Sequence, residues 1–241
     1  MKVYAMTDIG KARALNEDSC YVPEEGERFC AVADGMGGHN AGEVASAMAV
    51  EVFSAALRGV EPLTGETLRD AVTRANEAVF RKSLENEGMS GMGTTFSALS
   101  MEGKTAAVAH VGDSRIYMIR EGRLTQVTTD HTVVEIMVQQ GLITAREARV
   151  HPKRNLITRA LGTQYWVDVD VIELELRPGD VFFLCSDGLS GYVEDEDILR
   201  VSDGEGDWEE KLRRLVGMAL EAGGYDNITA MYAVYEEDAS R

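Results

Sequence analysis

The segment TTFSALSMEGKTAAVAHVGDSRIYMIREGRLTQV, residues 94–127, decides the fold class of this 241-residue chain. It contains four β-rich runs, at 94–100, 105–111, 114–120 and 123–127. Short polar segments typical of tight turns separate these runs: Glu102-Gly103-Lys104, Gly112-Asp113 and Glu121-Gly122. The pattern therefore predicts an antiparallel meander of four strands.

Helical and strand-like segments flank the meander on both sides. Before it, strand-like runs at 3–7 and 28–33 are followed by amphipathic helices predicted at 43–57 and 66–84. After it, the sequence predicts short helices at 132–140 and 144–150, a hairpin of 167–176 with 181–185 around Pro178-Gly179, a helix at 207–222 and a strand at 228–235. Helices and strands occur in groups and do not alternate one for one. We therefore predict an α+β fold in which helices cover antiparallel sheets.

The composition indicates one acidic domain. Apolar residues make up 44% of the chain and only 4 prolines occur, without a linker or low-complexity segment, so we predict a single domain over 1–241. The formal net charge of −17 argues against nucleic-acid binding, which needs a basic surface.

Cysteines and apolar runs bear on the location of the protein. The three cysteines, Cys20, Cys30 and Cys185, have no zinc-site spacing, and we predict packed thiols. The first residues, MKVYAMTDIGKAR, lack the apolar core of a signal peptide. No run approaches the ~18 apolar residues of a membrane span. We expect a cytoplasmic monomer that binds no membrane.

Aspartates lie next to the predicted strands. Asp34 and Asp187 each follow an apolar run and precede a glycine, and Asp113 follows AAVAHVG. Asp226 lies just before ITAMYAV, and Asp18 lies just before a short apolar run. Acids at strand ends converge at one rim of a sheet, where each carboxylate pair repels by ~4 kcal/mol at ~4 Å and an effective dielectric near 20. Several such acids together imply bound cations, and ligands that are all oxygen select Mg²⁺ or Mn²⁺.

Each aspartate taken alone has a simpler interpretation. Asp-Gly is a common turn pair, and a single aspartate in this position is more often a turn former than a ligand. An EF-hand is excluded because Ile198 and Leu199 follow Asp195-Glu196-Asp197, where that loop needs a ligand and a glycine. The glycines of Gly35-Met36-Gly37-Gly38 are not followed by Gly-Lys-Ser/Thr, so a P-loop is excluded too.

Seven short motifs occur in a fixed order along the chain. They are Thr7-Asp8-Ile9-Gly10, Arg13 with Asn16-Glu17-Asp18, Val32-Ala33-Asp34-Gly35-Met36-Gly37-Gly38-His39, Gly93-Thr94-Thr95, His110-Val111-Gly112-Asp113-Ser114-Arg115, Ser186-Asp187-Gly188-Leu189 and Asp226-Asn227-Ile228-Thr229. In this order they resemble the motifs of the PPM phosphatases, the metal-dependent protein phosphatases of type 2C, in their bacterial branch. The resemblance spans about 7–234, and the ordered set is far more specific than any single motif.

The resemblance implies a fold and an activity. The fold would be a central sandwich of two antiparallel β-sheets flanked by helix pairs, with a small flap subdomain at about 130–162. The activity would be hydrolysis of phosphoserine and phosphothreonine monoesters in proteins, by in-line attack of a water or hydroxide that bridges two Mn²⁺ or Mg²⁺ ions. Two such cations lower the pKa of a shared water from 15.7 towards ~7. The partners would be phosphorylated substrates of a serine/threonine kinase, in cellular signalling.

The resemblance also implies residue roles. Asp34 would bridge two tightly bound ions, Asp187 and Asp226 would complete the first site, and the Gly35 carbonyl would ligate the second ion. The remaining implied roles are water-mediated metal contacts for Glu17 and Asp18, a third and weaker ion site for Asp113 with Asp187, and a grip on the substrate phosphate for Arg13.

One position departs from the family pattern. Eukaryotic members carry a histidine directly after the Asp-Gly pair, assigned as the general acid. Here that position is Met36, and His39 follows three residues later. His39 either donates a proton to the leaving group or contacts substrate, or else it is a solvated loop histidine. Both interpretations remain open.

The flap segment contains a basic cluster in an otherwise acidic protein. Its members are Arg146, Arg149, Lys153, Arg154 and Arg159. This cluster is either a solvated helix face with a loop, or a docking surface for acidic, phosphorylated substrate segments.

Two rival functions share this sequence pattern. A catalytically silent phosphoprotein-binding module would have lost part of the metal set, whereas Arg13, Asp34, Asp187 and Asp226 are all present. A phosphatase for small phosphorylated metabolites would keep every metal ligand and differ in the flap and the rim of the site.

Overall fold

The computed structural model describes residues 1–37, 41–85 and 87–236. The strands of this part are β1 (Lys2–Asp8), β2 (Asp18–Tyr21), β3 (Phe29–Met36), β4 (Gly93–Thr94), β5 (Phe96–Glu102), β6 (Thr105–Val111), β7 (Arg115–Arg120), β8 (Arg123–Gln126), β9 (Asp170–Glu175), β10 (Val181–Cys185) and β11 (Ile228–Val234). The α-helices are α1 (Gly42–Leu57), α2 (Gly65–Ser83), α3 (Val133–Gln139), α4 (Ala145–Val150), α5 (Asp187–Ser190), α6 (Asp195–Asp203) and α7 (Trp208–Glu221), with a 3₁₀ turn at Glu87–Met89.

The strands form two antiparallel sheets. The first sheet has the order β1-β11-β10-β7-β8, and the second has the order β2-β3-β5-β6-β9, with β4 paired to β3. All of the strand pairs are antiparallel. The predicted α+β class with two antiparallel sheets is confirmed.

The core consists of three apolar layers, one between the two sheets and one between each sheet and the helices on its outer face. Between the sheets, Val32 and Leu99 of the second sheet pack with Phe182 and Met231 of the first. Because helices also cover the outer faces, these strands are buried on both sides and their sequences are almost continuously apolar. The side chains on the outer face of the second sheet pack against α1 and α2, and those of the first sheet pack against α6 and α7.

Capping side chains set the starts of several helices. Thr64 accepts a hydrogen bond from the backbone N–H of Thr67, and the Thr67 hydroxyl accepts one in return from the Thr64 N–H. Asp207 accepts from the N–H of Glu210 at 2.8 Å. Such caps satisfy the N–H groups that the first turn of a helix leaves unpaired. They explain why the predicted helix starts lie within a few residues of the observed ones.

Two predicted hairpins are wrong. The meander predicted over 94–127 is split, because β5 and β6 pair in the second sheet whereas β7 and β8 pair in the first. The chain therefore crosses between the sheets at Gly112-Asp113. In the same way β9 pairs with β6 while β10 pairs with β7 and β11, so the Pro178-Gly179 turn also connects the two sheets.

The segment predicted as a flap, 130–162, contains α3 and α4. One isolated bridge joins the two ends of the segment to each other, Thr132 with Ile157, and a second joins Leu161 to Thr94 of β4. Its description as a subdomain, and that of 1–241 as one domain, stay predictions.

Candidate active site

One cavity of about 250 Å³ collects most of the acidic residues singled out in the sequence. Its lining includes Arg13, Glu17, Asp34, Gly35, Asp113, Asp187 and Asp226. These residues come from the ends of several strands and from the loops beside them, so the sandwich brings them to one rim as the strand-end positions predict.

Asp34 occupies the floor of the site. It lies within β3, where it is opposite Asp18 of β2, and not after the end of a strand as predicted. Its backbone N–H donates to the Thr95 hydroxyl at 2.9 Å, and its carbonyl accepts from the Thr95 N–H at 2.9 Å. These bonds fix the backbone of Asp34 and leave its carboxylate for the cavity.

Asp18 lies behind the cavity with its carboxylate buried. The Ser186 hydroxyl donates to Asp18 Oδ2 at 2.8 Å, and the Thr229 N–H donates to the same hydroxyl at 3.0 Å. Asp18 Oδ1 is buried and has no hydrogen-bond partner among the described residues. An unsatisfied, buried carboxylate oxygen is costly, and a nearby cation or its water would satisfy it.

Asp187 and Asp226 reach the site from two strands of the first sheet. Asp187 is the first residue of α5, two residues after the end of β10, and Asp226 lies two residues before the start of β11. The side chain of Asn227 accepts from the Glu17 N–H at 2.8 Å and donates to the carbonyls of Ile9 and Leu15, each at 2.9 Å. Asn227 therefore holds the loop that carries Arg13.

Arg13 meets Asp226 at the mouth of the cavity. Its Nε lies 2.9 Å from Asp226 Oδ1 and its Nη2 donates to Oδ2 at 2.9 Å, while Nη1 lies 3.8 Å from Glu17 Oε2. The hydrogen bond to Asp226 raises the pKa of Arg13. The guanidinium is thus held beside the predicted metal ligands in the lining of the cavity.

Gly35 lies at a point of close backbone contact. Its N–H donates to the Glu17 carbonyl at 3.0 Å. A Cβ atom at this position would come within 2.2 Å of the Gly42 carbonyl oxygen and 2.5 Å of that of Glu17. Only glycine fits, because a side chain would push β3 away from the start of α1 and from the Glu17 loop.

Asp113 occupies the crossing between the two sheets and is 8% exposed. It lines the site cavity and also a second cavity of about 230 Å³ beneath the flap, which it shares with Asp187. The preceding Gly112 has a φ of 110°, and a Cβ atom there would lie 2.6 Å from the Thr95 side chain. This turn requires glycine to bring Asp113 next to Thr95 and the site.

Burial and mutual repulsion raise the pKa values of the carboxyl groups. Burial is the main cause for Asp18, whose pKa rises to about 7, and for Asp187, whose pKa rises to about 6. The pKa values of Asp34 and Asp113 rise well above the usual range, first because of burial and then because of neighbouring aspartates. Burial also raises the pKa of Glu17. Adjacent buried carboxylates of this kind call for a counter-cation.

The donor set fits a hard divalent cation, because it consists of carboxylate and carbonyl oxygens. In the described part of the chain, no three His, Cys, Asp or Glu side chains already form a group that could hold an ion. The carboxylates instead surround the cavity, and Asp226 is engaged by Arg13.

The flap contributes Asn155 and Ile157 to the site cavity. Of the basic cluster, Arg149 is paired with Glu194 at 3.1 Å and Arg159 with Asp170 at 2.7 Å, so these two cations are already neutralised within the protein. Arg154 lines the second cavity. His39 lies outside the described residues.

The three cysteines are free thiols, and Cys30 and Cys185 are buried as predicted. Among the described residues, no helix combines the length and the apolar character needed to cross a membrane.

A family model described as protein phosphatase 2C matches residues 10–230. The chain belongs to the protein phosphatase 2C family. Members of this family are metal-dependent serine/threonine phosphatases, so the family predicted from the ordered motifs is confirmed.

Curated members of this family match nearly the whole chain. The serine/threonine protein phosphatase PstP of Mycobacterium tuberculosis is 44% identical over 236 residues, which are 97% of this chain and 45% of PstP. The protein phosphatase PhpP of Streptococcus pneumoniae is 36% identical over 245 residues, which are 99% of this chain and 100% of PhpP. The chain thus spans less than half the length of PstP and all of PhpP.

Solved phosphatase structures have the same fold. The crystal structure of M. tuberculosis PstP has a TM-score of 0.91 at 42% identity, with 98% of each chain covered. The PstP catalytic domain in complex with two manganese ions has a TM-score of 0.88 at 39% identity, again with 98% of each chain covered. The prediction of a Mn²⁺- or Mg²⁺-dependent family member agrees with this manganese complex.

Several residues that hold the site were not predicted to act in it. Ser186 bonds Asp18, Thr95 bonds Asp34, and Asn227 holds the loop that carries Arg13. Each lies inside one of the seven motifs. Ser186 and Asn227 are neighbours in sequence of a predicted ligand, and Thr95 is hydrogen-bonded to one. Only their positions in the motifs could have identified them from the sequence, because their hydrogen-bond partners are distant along the chain.

Proposed function

We propose that this chain is a metal-dependent phosphatase that hydrolyses phosphoserine and phosphothreonine monoesters in proteins. The observation that carries this proposal is one cavity in which Arg13 faces Asp34, Asp113, Asp187 and Asp226. The relatives named serine/threonine protein phosphatase PstP and protein phosphatase PhpP support it, because they match 97% and 99% of the chain. The domain responsible would be 1–241, with a flap at about 130–162.

We assign the ion ligands as the resemblance to the family implies. Asp34 would contact two ions, Asp187 and Asp226 would complete the first site, and the Gly35 carbonyl would contribute to the second. Glu17 and Asp18 would act largely through water, and Asp113 with Asp187 would hold a third, weaker ion. Support comes from the raised pKa values of Asp18, Asp34, Asp113 and Asp187 and from the orphaned Oδ1 of Asp18.

The bound ions would supply a nucleophilic water at neutral pH and would neutralise charge on the phosphoryl oxygens. The residues of the chain orient the substrate. The planar guanidinium of Arg13 matches two phosphate oxygens at once, and such bidentate contacts are about twice as strong as neutral hydrogen bonds. Asn227 keeps this guanidinium in place through the 9–17 loop. His39 remains a candidate proton donor to the leaving oxygen.

The proposed partners are phosphorylated substrates of a serine/threonine kinase, within cytoplasmic signalling. The net charge of −17 supports the expectation that nucleic acid is not a partner, because its phosphates would be repelled. We further propose that the protein acts as a monomer and binds no membrane.

The first prediction is that hydrolysis depends strictly on Mn²⁺ or Mg²⁺. Asp34→Ala and Asp187→Ala should reduce turnover of a phosphothreonine peptide to the background rate, because each removes an ion ligand. Turnover is measured on that peptide, on p-nitrophenyl phosphate and on a sugar phosphate, with and without chelator. Asp70→Asn on the exposed face of α2 is the matched control and should behave like the wild type.

Two results would contradict the proposal. Turnover of the phosphopeptide by protein verified as free of metal would refute the metal mechanism. A strong preference for the sugar phosphate over the phosphopeptide would indicate that the substrates are small phosphorylated metabolites.

A further inference from the structure

A buried histidine joins the flap to the turn that carries Asp113. His131 is 7% exposed and directly precedes Thr132, whose hydroxyl caps α3 by accepting from the Glu135 N–H. His131 Nδ1 accepts a hydrogen bond from the Gly112 N–H at 3.0 Å. The backbone N–H of His131 donates to the Gly112 carbonyl at 2.8 Å. One residue at the start of the flap thus holds both backbone groups of Gly112.

His131 also contacts the C-terminal end of the flap and the start of β9. Its carbonyl accepts from the Thr158 N–H at 2.7 Å. Its Nε2 lies 3.1 Å from Asp170 Oδ2, and Arg159 donates to Asp170 Oδ1 at 2.7 Å. Because Nδ1 accepts from a backbone N–H, the ring proton is on Nε2 and is donated to Asp170. Burial lowers the pKa of His131, which favours this neutral form.

Gly112 is the residue of this turn with the greatest conformational freedom. Its φ of 110° lies in a region where glycine meets little steric restriction, so hydrogen bonds from elsewhere decide which way the next residue points. That next residue is Asp113, which lines both the site cavity and the cavity under the flap.

We propose that His131 is a positioning residue that fixes the Gly112-Asp113 turn and thereby couples the flap to the ion site at Asp113. The inference rests on the proposed function for its catalytic consequence. It differs from that function in naming a residue that touches neither ion nor substrate. Residues of this kind, which orient a metal ligand, typically change metal affinity about 10- to 100-fold when they are replaced.

Three variants separate the two ends of the imidazole. His131→Asn keeps an acceptor near the place of Nδ1 and loses the contact with Asp170. His131→Gln keeps a donor near the place of Nε2 and loses the contact with Gly112, and His131→Ala loses both. Asp168→Asn is the control, since Asp168 touches Arg159 from the exposed side at 3.6 Å and lies outside the His131–Gly112 contact.

Each variant is measured in three ways. Hydrogen exchange reports the protection of the Gly112 and Asp113 amides in the metal-free protein. Calorimetry reports the number and affinity of tightly bound Mn²⁺ ions. Turnover of the phosphothreonine peptide is then followed against Mn²⁺ concentration.

We expect His131→Ala to keep the two tight ions, to lose protection at Gly112, and to need at least about tenfold more Mn²⁺ for half-maximal turnover. His131→Asn should restore most of both properties and His131→Gln should not, while Asp168→Asn should match the wild type. Unchanged Gly112 exchange in His131→Ala would overturn the proposal, and so would better rescue by Gln than by Asn. If His131→Ala does not fold, the comparison of Asn with Gln decides.

A failure of the proposed function gives a different result. Wild-type protein would then show no Mn²⁺-dependent hydrolysis, whereas hydrogen exchange at Gly112 and binding of Mn²⁺ would still test the role of His131.

Discussion

Arg13 and Asp226 form a two-point ion pair at the mouth of the site cavity, with both N–O distances at 2.9 Å. Arg13 is about half exposed, so the pair forms at the edge of solvent and not in the core. Both residues have another proposed partner, a phosphate for Arg13 and an ion for Asp226. If both proposals hold, the guanidinium would pair with Asp226 in the free protein and with the phosphate when substrate is bound.

This double role gives the second prediction. Arg13→Ala should weaken inhibition by inorganic phosphate and raise the KM for the phosphopeptide about 10- to 100-fold, the range expected for losing charge-assisted hydrogen bonds. Affinity for Mn²⁺ should stay the same or increase, because Asp226 is freed. Arg13→Lys should recover only part of the phosphate affinity, since an ammonium group cannot make the two-point contact.

Phosphate titration of the steady-state rate, together with Mn²⁺ calorimetry, checks this prediction. A loss of Mn²⁺ affinity with an unchanged phosphate inhibition constant would assign Arg13 to the ion site instead.

Single residues also mark the limit of what the sequence could predict about the site. Asp113, Asp187 and Asp226 were found because acids beside apolar strands stand out in a local pattern. Ser186 and Asn227 were not assigned, because a serine or an asparagine in a turn has many uses. Their function depends on partners such as Asp18 and Leu15, far away in sequence.

At the scale of elements, the flap presents fewer free cations than its sequence suggests. Arg149 bonds Glu194 and also contacts the carbonyl of Ser190, which ties α4 to the segment after α5. Arg159 belongs to the Asp170 contact at the base of the flap. Arg154 instead lines the cavity beneath the flap, which Asp113 and Asp187 also line.

The third prediction tests whether Arg154 takes part in docking of protein substrates. Arg154→Glu should reduce kcat/KM for a phosphoprotein more than for p-nitrophenyl phosphate, because the small ester needs only the ion site. Arg74→Glu, an exposed charge reversal on α2 and outside the flap, is the matched control and should leave the ratio of the two activities unchanged. Equal losses on both substrates in Arg154→Glu would favour a solvated loop without a docking role.

Strand partners are the part of the fold that the sequence could not supply. The spacing of apolar residues predicted the bounds of most strands and helices to within a few residues of those observed, since alternation and helical spacing are local properties. Gly112-Asp113 and Pro178-Gly179 have the composition of hairpin turns, yet both lead from one sheet to the other. Which sheet β7 joins depends on how its buried side chains, such as Ile116, pack between the layers. No local pattern encodes that packing.

At the scale of the whole molecule, the acidic site lies at the rim between the two sheets. The strands that carry Asp34 and Asp18 belong to one sheet, and those next to Asp187 and Asp226 belong to the other. The layers that hold the sheets together are apolar. Repulsion among the carboxylates therefore acts across the interface between the sheets, and a divalent ion bound there would link them.

The last prediction follows from this arrangement. Mn²⁺ at 100 times its dissociation constant should stabilise the wild type by about 2.7 kcal/mol, which raises the Tm by about 5–10 °C for a chain of this size. Asp34→Asn should raise the Tm of the metal-free protein, because it removes a carboxyl group whose ionised form is disfavoured by burial and by neighbouring aspartates, and it keeps the backbone hydrogen bonds to Thr95. The same variant should lose most of the stabilisation by Mn²⁺.

Differential scanning calorimetry with and without chelator measures both effects, with Asp70→Asn as the control. If Asp34→Asn melted below the wild type in chelator, the charge of Asp34 would not be the source of strain, and the case for an ion that bridges the sheets would lose its physical basis.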